Sequence, residues 1–306
     1  MQQPAPGTDA RPAPADTSEE HDNLVLQPRD VAFDWNGLPL RWIPGEPMAS
    51  HVINVLHLLL PEGERWFVRT FQEAIPLITD DELREQVLGF TGQEALHAEA
   101  HQGVLDHMLA HGLDPRPYVE HLEFIFHRVL GDRPGLSPER AREYLVERIA
   151  IIAGVEHFTA FLGDWVLGAD GLDRAGTDPT MLDLLRWHGA EEVEHRSVAY
   201  DLLCHLDPSY VRRGRAMVIS ATVLLKLWVR GTRFLMAADP GLHPGARPTW
   251  RGYARAARRG LLPDLRKGAH SVVRYFKPSY HPTQEGCTRQ AVAYLGSSPA
   301  ARAAAH

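Results

Sequence analysis

Apolar residues recur every three or four positions along most of the chain, which is the period of amphipathic α-helices. The pattern predicts a series of helices at Ser50–Ile78, Asp80–Ala110, Pro115–Leu130, Pro138–Leu167, Pro179–Leu206, Ser209–Ala238, Trp250–Gly260 and Pro263–Phe276. Pro61 is expected to interrupt or kink the first helix. Ser137-Pro138 and Asp178-Pro179 have the capping residue and proline of helix starts. No run predicts a strand, so the predicted fold class is all-α.

The two ends of the chain lack this pattern. Residues 1–23 are rich in Pro, Ala and acidic residues, and they bury too little apolar surface to offset their ordering entropy, so we expect disorder there. Residues 24–282 are expected to form one helical domain, whose first part, up to Ser50, is irregular and packs on the helices. Residues 283–306 are expected to form a C-terminal tail.

Charged residues interrupt the apolar stripes of four helices. Each of these helices carries a glutamate at mid-stripe, and two carry a histidine three residues later. The set consists of Glu64, Glu94, His97, Glu156, Glu192 and His195. His188 lies on the same stripe, one turn before Glu192. Glu191 and Glu194 lie outside this apolar stripe and are expected to be solvated or to support the ligands.

Four carboxylates that converge on a bundle core would repel one another and lose hydration, which costs several kcal/mol each. Two divalent metal ions would neutralise them, and neutral imidazoles would supply nitrogen ligands. Residues three apart lie on one helix face and can reach the same ion. The pattern therefore favours two metal ions per chain over a bundle with coincidental polar inclusions and salt bridges. For Glu64 alone, an exposed carboxylate at a helix start is the alternative.

Four further residues are weaker candidates. His101, one turn beyond His97, either supports the metals and lines a pocket or is a hydrogen-bonded core histidine, and the core interpretation is favoured. Thr159 either contacts the metal site or bonds back to its own helix, and back-bonding is favoured. Asp183 and Asp201 flank the ligands and are candidates to orient their imidazoles, although neither has the required phase.

Several segments of the chain resemble a known family. The segments LLPEGERWF, GQEALHAEAH, AGVEHFTAF, HGAEEVEHRSVAYD and YFKPSYHP are similar to those of the uncharacterised bacterial "predicted metal-dependent hydrolase" family, from about Val31 to Pro282. The ligand pattern also resembles that of ferritin-like dinuclear iron proteins, which implies a ferritin-like helical bundle with extra C-terminal helices. The form His-x-x-x-Glu-x-x-His is similar to that of p-aminobenzoate N-oxygenases, which implies that His188 is a seventh metal ligand.

Three functions are compatible with this ligand set. Carboxylate and imidazole ligation suits iron, or else manganese, and favours an oxidoreductase that uses O₂ and an external electron donor to oxidise a small organic substrate. The second function is a hydrolase with a two-metal-activated water, which the family name favours but a closed, apolar bundle core does not. The third is metal storage or sensing. No catalytic residue is assigned beyond the ligands.

Overall charge and cysteine content limit the partners and the compartment. The formal net charge of −7 argues against a general affinity for nucleic acid or anionic membranes. The two cysteines, Cys204 and Cys287, fit a reducing cytoplasm, and the start of the chain lacks the features of a signal peptide.

The apolar run Ala216–Met236 raises the question of membrane attachment. Lys226, Arg230 and Arg233 recur at steps of four and three, so they share one face of this helix. An uninterrupted apolar span of about 20 residues is also missing. A packed or dimer-forming amphipathic helix is favoured over membrane association, and a homodimer through the C-terminal helices is expected.

Overall fold

The computed structural model describes residues 25–305, so the predicted disorder of residues 1–23 lies outside the described part. Within this part the chain is an all-α bundle without a β-strand, which confirms the predicted fold class. The α-helices, in chain order, are α1 (Pro47–Ala74), α2 (Asp81–Ala110), α3 (Arg116–Phe124), α4 (Pro138–Leu167), α5 (Asp170–Arg174), α6 (Pro179–His195), α7 (Val198–Leu206), α8 (Tyr210–Ala238), α9 (Trp250–Arg258), α10 (Leu265–Tyr275), α11 (Thr288–Leu295) and α12 (Pro299–Ala304).

The predicted starts of α2, α4 and α6 carry side-chain caps. The side chain of Asp80 accepts a hydrogen bond from the backbone N–H of Leu83, and Ser137 accepts one from Arg140. Asp178 accepts two, from the first turn of α6. Each cap satisfies a backbone donor that would otherwise have no partner at a helix start, so these residues fix where the helices begin.

Two predicted helices differ from the observed ones. The predicted interruption at Pro61 is wrong, because α1 runs through this residue. The predicted helix Pro179–Leu206 is two helices, α6 and α7, with a break at Arg196 and Ser197. Arg196 is buried, and its guanidinium donates to the carbonyl of Pro282 at 3.2 Å and to the hydroxyl of Thr288 at 3.0 Å. The break therefore lies where the C-terminal segment is tied to the bundle, a contact that helical periodicity does not encode.

Smaller differences concern short elements. The predicted helix Pro115–Leu130 ends as an α-helix at Phe124 and continues as a π-helical turn, Ile125–Val129. Residues 283–305, expected to be a tail, contain α11 and α12, and both pack against α6. These helices are too short for an apolar period to show in the sequence.

The helices α1, α2, α4 and α6 surround one interior. α1 packs along α2, α4 packs along α6, and α8 lies against both α1 and α4. Among the described residues, no helix combines the length and apolar character needed to cross a bilayer.

Glycines allow the irregular first segment to pack on α2. A Cβ atom on Gly89 would lie 2.6 Å from the Cβ of Leu26, and one on Gly92 would lie 2.4 Å from the Cγ of Pro28. The absence of a side chain at both glycines therefore lets this segment lie directly on the helix.

Buried apolar residues form two large clusters, and the helices pass from one to the other. Along α1 the first cluster ends at Leu59 and the second begins at Trp66, with Glu64 between them. Along α2 the corresponding gap lies between Phe90 and Val104. The polar residues that interrupt the stripes thus occupy a layer between two apolar cores.

Candidate metal centre

The structure brings all seven predicted ligands together in this layer, and all of them are buried. α1 supplies one glutamate, α2 a glutamate and a histidine, α4 one glutamate, and α6 the other three residues. Their donor atoms form two groups, each within 4.8 Å: Glu64, His97, His188 and Glu192 in the first, and Glu94, Glu156, Glu192 and His195 in the second. Glu192 belongs to both groups, so it lies between the two potential metal positions.

The second group is arranged around His195. Its Nε2 atom lies 3.3 Å from Glu94 Oε1, 3.4 Å from Glu156 Oε2 and 3.3 Å from Glu192 Oε2. Three helices therefore direct an oxygen toward one imidazole nitrogen.

The first group is arranged around the other carboxylate oxygen of Glu192. This Oε1 atom lies 2.7 Å from His188 Nε2 and 3.6 Å from His97 Nδ1. Glu64 Oε1 lies 3.5 Å from the same nitrogen of His188. His188 therefore belongs to the first group and not to the second.

The cluster leaves nine buried side-chain atoms without a hydrogen-bond partner. They are both carboxylate oxygens of Glu64, Glu94 and Glu156, Oε2 of Glu192, Nδ1 of His97 and Nε2 of His195. A buried polar atom without a partner costs about 1–3 kcal/mol, and more when it is charged. Carboxylate oxygens and imidazole nitrogens are the donors that iron, manganese and related ions take. The residues therefore fit bound transition-metal ions.

Burial and charge perturb the cluster's titration. Burial, together with repulsion between the carboxylates, raises the pKa of Glu64 and Glu94 well above the ordinary value and raises that of Glu156 to about 7. Burial also opposes ionisation of Glu192, but attraction to two histidines outweighs it and lowers that pKa. Burial lowers the pKa of His195, yet the neighbouring carboxylates raise it well above the ordinary value. The cluster thus holds protons that a bound cation would displace.

Two of the inward-facing histidines are held by a side chain behind the ring. His97 Nε2 lies 2.9 Å from Glu191 Oε2, and His195 Nδ1 lies 3.1 Å from Gln93 Oε1. Each ring donates its outer N–H to an oxygen, so in the neutral ring the inner nitrogen carries a lone pair. This is the tautomer that a metal ligand requires.

The third histidine is backed by a chain of imidazoles. His188 Nδ1 lies 3.0 Å from His101 Nε2, and His101 Nδ1 lies 2.7 Å from His57 Nδ1. All three are buried, and burial is the main reason that their pKa values are lowered, that of His57 to about 3. The structure thus places His101 in a hydrogen-bonded core chain that directly supports a predicted ligand.

Two weaker candidates, Asp183 and Asp201, do not orient the ligand imidazoles. Asp183 accepts hydrogen bonds from Tyr294 and Ser298 in the C-terminal helices, and Asp201 pairs with His281. Neither contacts a ligand imidazole in the described part of the chain. Thr159 donates to the carbonyl of Glu156 at 3.0 Å, which is the favoured back-bonding.

Two residues that support the ligands, Gln93 and Arg29, could not be identified from the sequence. Gln93 lies on α2 next to the predicted ligand Glu94. Arg29 lies in the irregular first segment, and its guanidinium lies 2.7 Å from Glu191 Oε1 and 2.9 Å from Glu194 Oε2. An arginine in a segment without periodicity gives no indication of which helix it contacts.

A cavity of about 550 Å³ reaches the first group of donors. His188 and Glu192 form part of its wall, and most of the remaining wall is apolar. Representative wall residues are Ile53, Leu56, Phe158, Leu162, Leu185 and Leu224. The volume lies within the range of small-molecule sites, about 300–1,000 Å³.

Two glycines form the wall where α4 and α6 meet. A Cβ atom on Gly163 would lie 2.4 Å from the carbonyl oxygen of Gly189, and both glycines line the cavity. The helices that carry Glu156 and Glu192 approach closely because neither glycine has a side chain.

Comparison with known proteins gives one match. A family model described as "Predicted metal-dependent hydrolase" matches residues 27–286, which is most of the chain. No match was found among curated proteins or among solved structures.

Proposed function

The chain belongs to the predicted metal-dependent hydrolase family, and we propose that it is a dinuclear iron enzyme that uses O₂ to oxidise an apolar organic substrate. One observation carries the choice of reaction: the buried carboxylate and histidine cluster opens onto an apolar cavity. Such a cavity suits a substrate whose reacting part is a hydrocarbon or an aromatic ring. It offers few polar groups to hold an ester or phosphoester.

Two metal ions per chain follow from the charge of the cluster. Four carboxylates carry −4 when ionised, and two divalent ions supply +4. The sources of the ligands are one glutamate each from α1 and α4, and Glu-x-x-His from α2 and α6. This is the arrangement of ferritin-like dinuclear carboxylate bundles, and we include membership of that superfamily in the proposal.

The protein's own residues prepare the ligands before any metal binds. Glu191 and Gln93 accept the outer N–H of His97 and His195, so the inner nitrogen of each ring faces the cluster and carries a lone pair when the ring is neutral. The carboxylates raise the pKa of His195, so a bound cation would displace the proton on its inner nitrogen. Burial raises the pKa of Glu191, but the bonds to His97 and Arg29 outweigh it and the net effect lowers that pKa. Glu191 is therefore anionic, and it makes the imidazole it holds a stronger donor.

The cavity wall controls access to the reacting atoms. Its apolar side chains exclude bulk water and place the substrate beside His188 and Glu192. When bound, an iron pair would supply redox chemistry toward O₂. For insertion of one oxygen atom into the substrate, the second leaves as water, which requires two protons and two electrons from an external donor.

Hydrolysis is the second candidate, because the family's description names it. In that reaction two metals would lower the pKa of a bound water and polarise the scissile bond. This function needs neither O₂ nor an electron donor.

The two candidates can be separated with one preparation. Protein loaded anaerobically with Fe²⁺ should consume O₂ when it is exposed to air, and the uptake should be absent in Glu94→Ala. The matched control is Glu99→Ala, an exposed glutamate on the same helix, which should leave uptake unchanged. Leu162→Trp should keep metal content and O₂ uptake while reducing oxidation of an added apolar substrate. A loaded protein that is inert to O₂, together with ester or phosphoester cleavage by the zinc or manganese form, would replace this proposal by the hydrolase.

A further inference from the structure

Positive charge is concentrated in one part of the chain. Residues 210–284 contain twelve arginines and three lysines but only two aspartates and no glutamate, a formal charge of +13 in a chain whose net charge is −7. Charge asymmetry of this size within one domain is typical of a surface that meets a polyanion or an anionic membrane.

Many of these charges are exposed and unpaired. They are Lys226, Arg230 and Arg233 on α8, Arg251, Arg255 and Arg258 on α9, and Arg266 and Lys267 on α10. None of them forms an ion pair with a carboxylate in residues 25–305. Asp239 pairs with Arg41 and His51, and Asp264 caps α10. Asp239 is therefore buried in these pairs, whereas Asp264 is an exposed carboxylate of the cavity wall that the eight basic residues outnumber.

The same three helices present apolar side chains to solvent at the mouth of the cavity. Leu225, Trp250 and Leu265 line the cavity and are 60%, 69% and 50% exposed. Arg233 also lines the cavity, and it is exposed. Exposed tryptophan and leucine among unpaired basic residues is the composition of protein surfaces that bind at the bilayer interface.

We propose that the face formed by α8, α9 and α10 around the cavity mouth docks on an anionic lipid bilayer. Basic side chains would meet the lipid phosphates, and Trp250 with its apolar neighbours would enter the headgroup region. Docking would bring the open end of the cavity to the lipid, so that an apolar chain could pass from the bilayer into the cavity without crossing water. Only this last step rests on the proposed function, because docking needs no metal.

Charge decides between the bilayer and a second copy of the chain. A symmetric dimer through this face would bring two strongly positive surfaces together, which opposes association. An anionic bilayer has the complementary charge, and it accepts apolar side chains of any shape.

Vesicle sedimentation tests the proposal on the full-length protein. The protein should bind vesicles of phosphatidylcholine with about one third phosphatidylglycerol far more strongly than phosphatidylcholine alone. Binding should fall when salt rises from about 0.1 M to about 1 M, where the screening length shrinks from about 10 Å to about 3 Å. Chelation of the metal should leave binding unchanged, which separates this result from the fate of the proposed function.

Matched variants locate the surface. Arg266→Gln with Lys267→Gln should weaken partitioning roughly 25-fold, since one basic residue near an anionic surface contributes about fivefold. Trp250→Ala should weaken it as well. The control is Arg128→Gln with Arg140→Gln; both residues are exposed, and Arg140 lies eighteen residues before Phe158 of the cavity on α4, or about 27 Å along the helix.

Three results would overturn the proposal, provided that circular dichroism shows the variants to be folded. The first is equal sedimentation with and without phosphatidylglycerol. The second is equal loss of binding in the face variants and in the control. The third is a dimer that the α10 or Trp250 variants dissociate and that does not bind vesicles, which would make this face the predicted homodimer interface instead.

Discussion

Glu191 and Glu192, adjacent in the sequence, contact opposite sides of the same imidazole. Glu191 Oε2 lies 2.9 Å from Nε2 of His97, and Glu192 Oε1 lies 3.6 Å from Nδ1 of that ring. One glutamate thus holds the histidine from behind while the other faces it across the candidate metal position. The two carboxylates have the same chemistry and different roles, because successive helix residues point about 100° apart.

Removing the charge behind His97 should weaken metal binding without unfolding the protein. Glu191→Gln keeps the size of the side chain but loses the anion that strengthens the imidazole, so metal affinity should fall about 10–100-fold. Competition with a chelator of known affinity measures the change. Glu85→Gln, on an exposed position of α2, is the control and should behave as the unaltered protein. Equal affinities in both variants would contradict a supporting role for Glu191.

Because Glu192 belongs to both donor groups, its loss should have a larger effect on metal content than the loss of a residue from one group. Glu64→Ala should lower the content from about two metals per chain to about one, and Glu156→Ala should do the same, since two carboxylates neutralise one divalent ion. Glu192→Ala should lose both metals. Elemental analysis of folded, iron-loaded protein provides the measurement. Two metals retained in Glu192→Ala would contradict a shared role of Glu192, and no transition metal in the unaltered protein would rule out the dinuclear site.

The pH dependence of the metal-free protein should reflect the buried carboxylates. The folded-state pKa of Glu156 is raised from 4.5 to about 7, so the folded state binds more protons than the unfolded state between these values. The contribution of Glu156 to the unfolding free energy is therefore fully present below pH 4.5 and is lost as the pH rises toward 7. Over this interval the unaltered protein should lose up to about 3 kcal/mol of unfolding free energy relative to Glu156→Gln.

Urea unfolding of both proteins at several pH values, without metal, measures this difference. Added divalent metal should remove it at pH 7, because the cation takes the place of the protons. A difference that is constant with pH would mean that Glu156 titrates normally.

The contact between α4 and α6 should be intolerant of a methyl group. Gly163→Ala places a Cβ atom against the backbone of Gly189, which forces apart the helices that carry Glu156 and Glu192. We expect a loss of about 1–3 kcal/mol in unfolding free energy and a lower metal affinity. Gly168→Ala at the end of the same helix, with only ordinary contacts around it, is the control and should change stability by less than about 0.5 kcal/mol.

The sequence predicts those features that depend on the phase of a helix. A stripe places Glu94 and His97 on the core face, and the same reasoning on α6 reaches His188, because a residue's direction on a helix follows from its position alone. Contacts between a helix and an irregular segment have no such rule. The bond of Asp183 to the C-terminal helices and the break at Arg196 were therefore not predicted.

The net charge of the chain also did not predict the positive charge at the cavity mouth. The net charge of −7 sums the basic segment with the acidic residues in the rest of the chain. It therefore does not show the charge of one local surface. Lys226, Arg230 and Arg233 were correctly placed on one helix face by their spacing. That spacing could not show that the face borders a cavity, because the cavity forms between helices far apart in the sequence.

Arg29 links the irregular first segment to both donor groups, which leads to a last prediction. Its guanidinium bonds Glu191, which holds His97, and Glu194, whose carboxylate accepts from the amide of Gln93 at 3.3 Å. Arg29→Gln would leave two buried carboxylates without a cation, so the unfolding free energy should fall by about 1–3 kcal/mol. Metal affinity should fall too, but by less than in Glu191→Gln.

The control for Arg29 lies in the same segment. Arg41 pairs with the buried carboxylate of Asp239 at 3.1 Å, away from the donor groups, so Arg41→Gln should destabilise the fold and leave metal affinity unchanged. In a double-mutant cycle, Arg29→Gln and Glu191→Gln should be non-additive in metal affinity by more than about 0.5 kcal/mol, because one acts through the other. Equal effects of the two arginine variants on chelator competition would show that Arg29 only anchors the segment and does not act on the histidines.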